Sequence, residues 1–147
     1  MPKEFIVKGR TASGETEKIN LSGGTPGYGY QLHDFKLWGS NNLGASSMEG
    51  WGTLARSSTG ISPTDPNFNN EALVAVAVFM THTSPAYPPQ ALNMIDDLVI
   101  LTQDLTLMVQ DTGDGDRINW MLKFKEVKLS GAAEAVANYQ AFSVHDA

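Results

Sequence analysis

Residues 110–120, QDTGDGDRINW, hold three aspartates and two glycines within six positions, between two apolar runs. A run of this composition could form a metal-binding loop, a phosphate cradle or a turn. An EF-hand calcium loop needs oxygen ligands at its first, third and fifth positions and a glutamate at its last. Counted from Asp111, the third and fifth positions are Gly113 and Gly115, which have no side-chain oxygen. The stretch therefore does not match that type of calcium loop.

The sequence on either side of this stretch predicts a turn. DLTLMVQD before it and RINWMLKF after it both alternate as strands do. Asp-Gly between two such runs is a strong β-hairpin signal, because glycine takes a positive φ without steric cost. We therefore expect a hairpin turn that joins two antiparallel strands. Weak cation binding by the clustered carboxylates stays as the alternative.

Residue pairs that could support catalysis are few. SGGTPGYGY, residues 22–30, lacks the lysine and the Ser or Thr of a P-loop, so a phosphate cradle is not indicated. His33 and Asp34 are neighbours and therefore point to opposite faces of a strand. Asp96 and Asp97 are separated in the same way if the chain is extended there. None of these pairs is arranged for joint acid–base work.

The histidines do not form a recognisable site either. The sequence has three, His33, His82 and His145, and no two of them have the i, i+2 or i, i+4 spacing that favours zinc. His82 lies near Ser84, but Pro85 predicts that the strand ends there, so we expect a partly exposed strand-end side chain. The motifs G-x-S-x-G and H-E-x-x-H do not occur. We expect no enzymatic activity, and we assign no catalytic residue, cofactor-binding residue or metal ligand.

The composition indicates one globular domain over residues 1–147, with enough chain for its own core. The formal net charge of −6 argues against binding nucleic acid or an anionic membrane. The absence of cysteine agrees with assembly in a cytoplasm. The first residues, MPKEFIVKGR, contain no secretory apolar region. The longest apolar run, residues 72–80, is shorter than the ~20 residues of a membrane span, so we expect a soluble protein.

Period-two alternation predicts about eight strands. Two changes of parity, near His33–Asp34 and near Val127, indicate β-bulges or, for the second, the end of the buried face. Residues 130–142 form the one helical pattern, and the tail after it could add an edge strand. The predicted fold class is all-β, a β-sandwich or jelly roll with one short C-terminal helix. The predicted strands are residues 4–9, 16–21, 28–38, 48–55, 72–83, 98–103, 104–111 and 118–130.

Three long connections and several aromatic side chains are the candidate contact surfaces. The connections are residues 41–47, 56–70 and 84–94. Aromatic side chains near loops could stack on sugar rings, anchor a protein interface, or simply close the ends of the sandwich. A carbohydrate-binding module would lose affinity when Trp51 or Tyr87 is replaced by alanine. The full set of such side chains is Tyr28, Tyr30, Trp38, Trp51, Phe68 and Tyr87.

Four stretches carry a resemblance over nearly the whole chain: INLSGGTPGYGYQLHDF, TDPNFNNEALVAVAVF, LVILTQDLTLMVQDT and INWMLKFKEVKLSGAAEAVANYQAF. They are similar to small virion structural proteins of marine tailed bacteriophages. The resemblance implies a non-enzymatic, β-rich protein that packs on the major capsid protein or on other virion proteins. It implies a capsid decoration or cement role, commonly as a homotrimer, and a location in the virion after assembly in the host cytoplasm. It carries no site residues.

Two other functions agree with the same residues. One is a β-sandwich module that binds carbohydrate or a host receptor, and the other is a tail or head–tail connector component. The acidic charge favours the outside of a capsid, because the inside faces packaged phosphates. An unpaired first strand, or the tail after Gln140, could complete a neighbour's sheet by strand addition.

Overall fold

The computed structural model describes residues 3–21, 26–39, 48–57, 61–82, 90–112 and 117–129. Within these ranges the chain forms eight β-strands and no helix, so the all-β prediction is confirmed. The helix predicted for residues 130–142 and the strand predicted for the tail lie outside the described residues. The strands are β1 (Glu4–Ala12), β2 (Thr16–Ile19), β3 (Tyr28–Gly39), β4 (Met48–Ala55), β5 (Leu73–Thr81), β6 (Gln90–Ile95), β7 (Leu105–Asp111) and β8 (Arg117–Lys128).

The strands form two antiparallel sheets. The three-stranded sheet has the order β1–β8–β3, and the five-stranded sheet has the order β2–β7–β4–β5–β6. Over the first half of the chain, consecutive strands alternate between the sheets, because β1 and β3 lie in one and β2 and β4 in the other. Gly14, with a φ of 82°, makes the sharp turn between β1 and β2 without steric cost.

The hydrophobic core draws side chains from both sheets into one cluster. Along β8 every second residue from Ile118 to Phe124 is buried, while the residues between them are exposed or half-buried. β7 alternates in the same way. Each sheet therefore has one face in the core. The largest fully buried side chains include Phe35, Phe124, Leu32, Leu54, Leu101, Leu105, Leu107, Ile118 and Leu122.

A β-bulge in β3 is confirmed at the predicted place. β3 pairs with β8 in continuous register except between Leu32 and Asp34, where His33 is the extra residue. Leu32 and Phe35 are both fully buried, so the bulge changes which parity faces the core. The same pairing continues through Val127 without a shift. The parity change near Val127 is therefore not a β-bulge but marks the end of the buried face, which was the other interpretation of the pattern.

The hairpin prediction for the Asp-rich stretch is wrong. β7 pairs with β2 and β4, whereas β8 pairs with β1 and β3, so the two flanking strands lie in different sheets. Asp-Gly between alternating runs also suits a connection between sheets, because local sequence does not specify which strand is the partner. Thr112 begins the connection, and its amide donates to the Glu49 carbonyl at 3.0 Å. Residues 113–116 lie outside the described part of the chain.

Residues 98–103, predicted as a strand, are irregular apart from an isolated bridge between Leu101 and Tyr30. The Asp96 carboxylate accepts hydrogen bonds from the amides two and three residues ahead, both at 3.3 Å, which turns the chain. Val99 and Leu101 are buried without a strand ladder, whereas Leu98 is exposed. Burial and strand structure are therefore separate here, although an apolar run suggested both.

β6 begins inside the connection predicted at residues 84–94 and extends one residue beyond it. It is the edge strand of its sheet, and five of its six residues are exposed. Its sequence, QALNMI, follows prolines and has no clean apolar–polar alternation. An edge strand with little buried surface leaves only a weak pattern in the sequence.

Candidate functional site

The polar residues singled out in the sequence do not come together. Within the described ranges, no three His, Cys, Asp or Glu side chains lie close enough to hold a metal ion. His33 sits exposed in the bulge of β3. His82 is exposed directly after β5 ends, as predicted, and His145 lies outside the described residues.

Asp111, at the end of β7, is buried, with 2% of its surface exposed. Its amide donates to Ser13 Oγ at 2.9 Å, but neither carboxylate oxygen has a hydrogen-bond partner among the described residues. Burial of an unpaired carboxylate costs free energy. One carboxylate is not a ligand set, and residues 113–116 lie outside the described part. The cation alternative therefore gains no further ligand here.

A groove crosses the outer face of the three-stranded sheet. It runs over β1, β8 and β3, ends against β5 and β6, and has a volume of about 1130 Å³. We name it the Trp38 groove, because Trp38 is its most exposed aromatic side chain. Its lining also includes Lys8, Arg10, Lys36, Leu92, Asn93, Asn119 and Met121.

The strand register places these side chains in rows. Lys8 and Lys36 flank Met121 in one row, on β1, β3 and β8 respectively. Successive rows on one face of a sheet lie about 7 Å apart. Polar, cationic and aromatic groups therefore alternate along the groove at short spacing. The next row, from β1 to β3, holds Arg10, Asn119 and Trp38.

Positive charge is concentrated on this face of a chain whose net charge is negative. The chain has ten Lys and Arg and sixteen Asp and Glu. Along the paired strands, the only acids on the outer face of the three-stranded sheet are Glu4 and Asp34. The face is therefore positive, and the rest of the chain is strongly negative. Its six cations are Lys8, Arg10, Lys36, Arg117, Lys123 and Lys125.

Hydrogen bonds hold the polar residues of the groove in place. Arg10 Nε donates to Asn119 Oδ1 at 2.9 Å, and Asn119 Nδ2 donates to the carbonyl of Gly39 at 3.4 Å. Asn93 Nδ2 on β6 donates to the carbonyl of Phe35 on β3 at 2.8 Å. Arg10, Asn119 and Asn93 are thus held in place before any ligand arrives.

The lysines of this face differ in whether an acid neutralises them. Lys36 Nζ lies 3.3 Å from Asp34 Oδ2, and Lys123 Nζ lies 3.5 Å from Glu4 Oε2. Solvent-exposed pairs of this kind are weak and are easily exchanged for a stronger anion. Lys8 forms no ion pair with any described residue. Lys8 is therefore the most available ammonium group in the groove.

A second surface, on the outer face of the five-stranded sheet, is apolar. Val78 pairs with Leu92, and Val76 pairs with Met94, so four apolar side chains lie side by side across β5 and β6. Leu92 is 71% exposed and Met94 is 62% exposed. Phe68 joins this surface, because it lines a depression of about 250 Å³ together with Met94. We name the surface the apolar strip; it comprises Phe68, Val76, Val78, Met80, Leu92 and Met94.

The loop that carries Phe68 is fastened at its end. Asn70 Oδ1 accepts a hydrogen bond from the amide two residues ahead at 2.9 Å, and Arg56 Nη2 donates to the Glu71 carbonyl. Burial lowers the pKa of the Arg56 guanidinium from its ordinary value, and the negative charges of Asp96 and Glu71 offset only part of that decrease. Phe68 therefore lies in a loop whose C-terminal end is held by hydrogen bonds.

The structure separates the aromatic residues that the sequence grouped together. Tyr30 is buried in the core, with its ring edge-on to that of Phe5 at a centroid distance of 5.4 Å. Trp51 is half-buried on β4, beside the apolar strip, and Tyr87 lies outside the described residues. Trp38 alone among the described tryptophans is largely exposed, at 58%.

The sequence contains a signal that singles out Trp38. The bulge at His33 moves the outward parity of β3 to Asp34, Lys36 and Trp38. Extending the parity argument past the bulge therefore places an exposed tryptophan beside a lysine. The predicted contact connections also overlap the apolar strip in part, because residues 56–70 carry Phe68 and residues 84–94 carry Leu92 and Met94.

A scan against protein-family models gave no matching family, and a search of curated proteins gave no match. In the part of the chain that the structure describes, no helix is long and apolar enough to cross a bilayer. Function is therefore inferred from the two surfaces, the Trp38 groove and the apolar strip.

Proposed function

We propose that this protein is a non-enzymatic structural protein of a tailed-bacteriophage virion, a capsid decoration or cement protein that binds the major capsid protein through the apolar strip. The observation that carries the proposal is the exposure of Phe68, Leu92 and Met94, at 60%, 71% and 62%, on one surface. Soluble proteins rarely expose large contiguous apolar patches unless a partner covers them. The resemblance to marine phage virion proteins supplies the kind of partner.

The strip has the composition of a protein interface. None of its residues is charged, while Asp96 and Glu49 border the depressions beside it. An apolar centre with a polar rim is the usual arrangement of protein–protein interfaces. Each Leu, Met or Phe side chain that is fully removed from water contributes about 1.5–3 kcal/mol.

We infer that residues 1–147 form one jelly-roll-like β-sandwich. A jelly roll arises when the strand pairs 1–8, 2–7, 3–6 and 4–5 roll up together. The pairs β1–β8, β2–β7 and β4–β5 are hydrogen-bonded in this chain. β6 pairs with β5, but Asn93 on β6 also donates to the carbonyl of Phe35 on β3. Jelly rolls occur in viral capsid proteins and in lectins, which supports a virion role by fold analogy.

Co-sedimentation with phage particles assembled without this protein tests the proposal. Wild-type protein is expected to pellet with the particles. Leu92→Asp is expected to weaken binding at least about tenfold, because it puts a desolvated charge in the centre of the interface. Ile6→Asp is the matched control, since Ile6 is an equally simple apolar side chain, 56% exposed on the other sheet.

Absence of wild-type binding, or an equal loss in both variants, contradicts the proposed interface. Binding to isolated tails in place of shells makes the protein a tail or connector component. The homotrimer that the resemblance implies is tested on the same preparation by light scattering, where the mass of three chains is expected.

A further inference from the structure

We propose that the Trp38 groove binds an acidic polysaccharide, a chain of sugar rings that carry carboxylate or sulfate groups. The groove lies on the three-stranded sheet, whereas the apolar strip lies on the five-stranded sheet. The two surfaces share only Val78 and Leu92, where the groove ends. The side chains that carry this proposal, Trp38 and the cations of the three-stranded sheet, lie outside the apolar strip, so the proposal does not rest on the capsid proposal.

Trp38 supplies an apolar platform in the groove. It is 58% exposed, and Met121 on the neighbouring strand is 41% exposed. An aromatic side chain of this size is unfavourable in water on an otherwise charged surface, unless a flat apolar partner covers it. The C–H face of a sugar ring is such a partner, and the hydroxyls at the ring edge stay free to form hydrogen bonds with the surrounding polar side chains.

Cationic groups surround this platform. Lys8 and Lys36 stand on either side of Met121, separated by two strand spacings, about 10 Å. Lys8 has no acid partner among the described residues. Arg10 donates a hydrogen bond to a described residue only through its Nε, which bonds to Asn119. The Lys8 ammonium and the two Nη groups of Arg10 can therefore donate to carboxylate or sulfate oxygens.

The groove suits a sugar chain better than a peptide that adds as a strand. A peptide that adds as a strand needs an open sheet edge. The edge of β3 is occupied at Phe35 by Asn93 and at Tyr30 by Leu101, and the groove crosses the face of the sheet rather than following its other edge, β1. A sugar chain needs only the side-chain groups that the groove offers.

Isothermal titration with defined oligosaccharides tests the site on the full chain. The probes are an octagalacturonate for carboxylate, a heparin octasaccharide for sulfate, and maltooctaose as a neutral chain. Trp38→Ala is expected to weaken binding of the acidic probe about tenfold or more. Trp51→Ala is the matched control, because Trp51 is a half-buried tryptophan outside the groove, and it is expected to bind as wild type.

Charge is tested separately by Lys8→Gln, an exposed change that does not disturb the core. It is expected to weaken binding several-fold and to reduce the loss of affinity with added salt. Equal affinity for maltooctaose, or no affinity for either acidic probe, overturns the proposal. Binding of poly-glutamate that Trp38→Ala leaves unchanged also overturns it, because the face is then only a positive surface. Failure of shell co-sedimentation would leave these titrations unaffected.

Discussion

A hydrogen-bond chain that starts at the buried Trp120 connects the two sheets. Trp120 Nε1 donates to Thr11 Oγ1 at 2.9 Å, and Thr11 Oγ1 donates to Glu17 Oε1 at 3.2 Å. Trp120 and Thr11 belong to the three-stranded sheet, and Glu17 belongs to β2 of the other sheet. Trp120 is 7% exposed and Thr11 is 4% exposed. Thr11→Val removes the hydroxyl and leaves a buried indole N–H without its acceptor.

The size of the effect follows from that orphaned donor. Thr11→Val is expected to lower the free energy of unfolding by about 1–3 kcal/mol. Trp120→Phe breaks the same bond from the donor side and also removes buried ring atoms, so it is expected to cost at least as much. The double variant should cost about 1 kcal/mol less than the sum of the single variants, because the bond can be lost only once. For a domain of this size, 1 kcal/mol shifts Tm by about 2–4 °C.

Urea unfolding followed by circular dichroism measures the free energy of unfolding of the wild type, the two single variants and the double variant, which together form a double-mutant cycle. A second cycle combines Thr11→Val with Val74→Ala, a buried residue on β5, and should be additive within about 0.5 kcal/mol. The reasoning is refuted if Thr11→Val and Trp120→Phe are also additive. The indole N–H and the Thr11 hydroxyl would then contribute independently to stability, and their hydrogen bond would carry no coupling energy.

Three further changes test other parts of the structure. Gly50→Ala should lower the free energy of unfolding by about 1–3 kcal/mol, because a Cβ at this position meets the ring of Phe79; an unchanged thermal melt would contradict that close packing. Asp111→Asn should raise stability by about 1 kcal/mol in metal-free buffer, since a neutral amide costs less to bury without partners than a carboxylate. Calcium should leave the wild-type Tm unchanged, and a calcium-dependent rise that Asp111→Asn abolishes would restore the cation alternative. Lys36→Gln should change stability by less than about 1 kcal/mol, because its pair with Asp34 is solvent-exposed; a larger loss in urea unfolding would show that the pair is structural.

Some of the fold could be predicted because its cause is local. The bulge at His33 follows from a change of parity within one strand, and few other geometries produce that change. The connection at residues 113–116 could not be placed, because a turn between two alternating runs looks the same whether the runs pair with each other or with distant strands. β6 was missed because an edge strand with little buried surface has almost no pattern of its own.

The two candidate surfaces differ in the same way. Trp38 and Lys36 follow from the parity after the bulge, so the groove had a readable signal along one strand. The apolar strip had only a partial signal, the two long connections that carry Phe68, Leu92 and Met94, because the loop and the unrecognised strand meet only after folding. The concentration of six cations on one face likewise depends on the order β1–β8–β3, which no local pattern specifies.

The most direct test of the capsid proposal is the number of copies that particles assembled without this protein bind at saturation, measured with and without a chelator. The apolar strip predicts saturable binding at a fixed ratio to the major capsid protein, with the same copy number when the chelator is present. Absence of saturable binding, or binding that disappears with the chelator, would contradict an interface held by apolar contact.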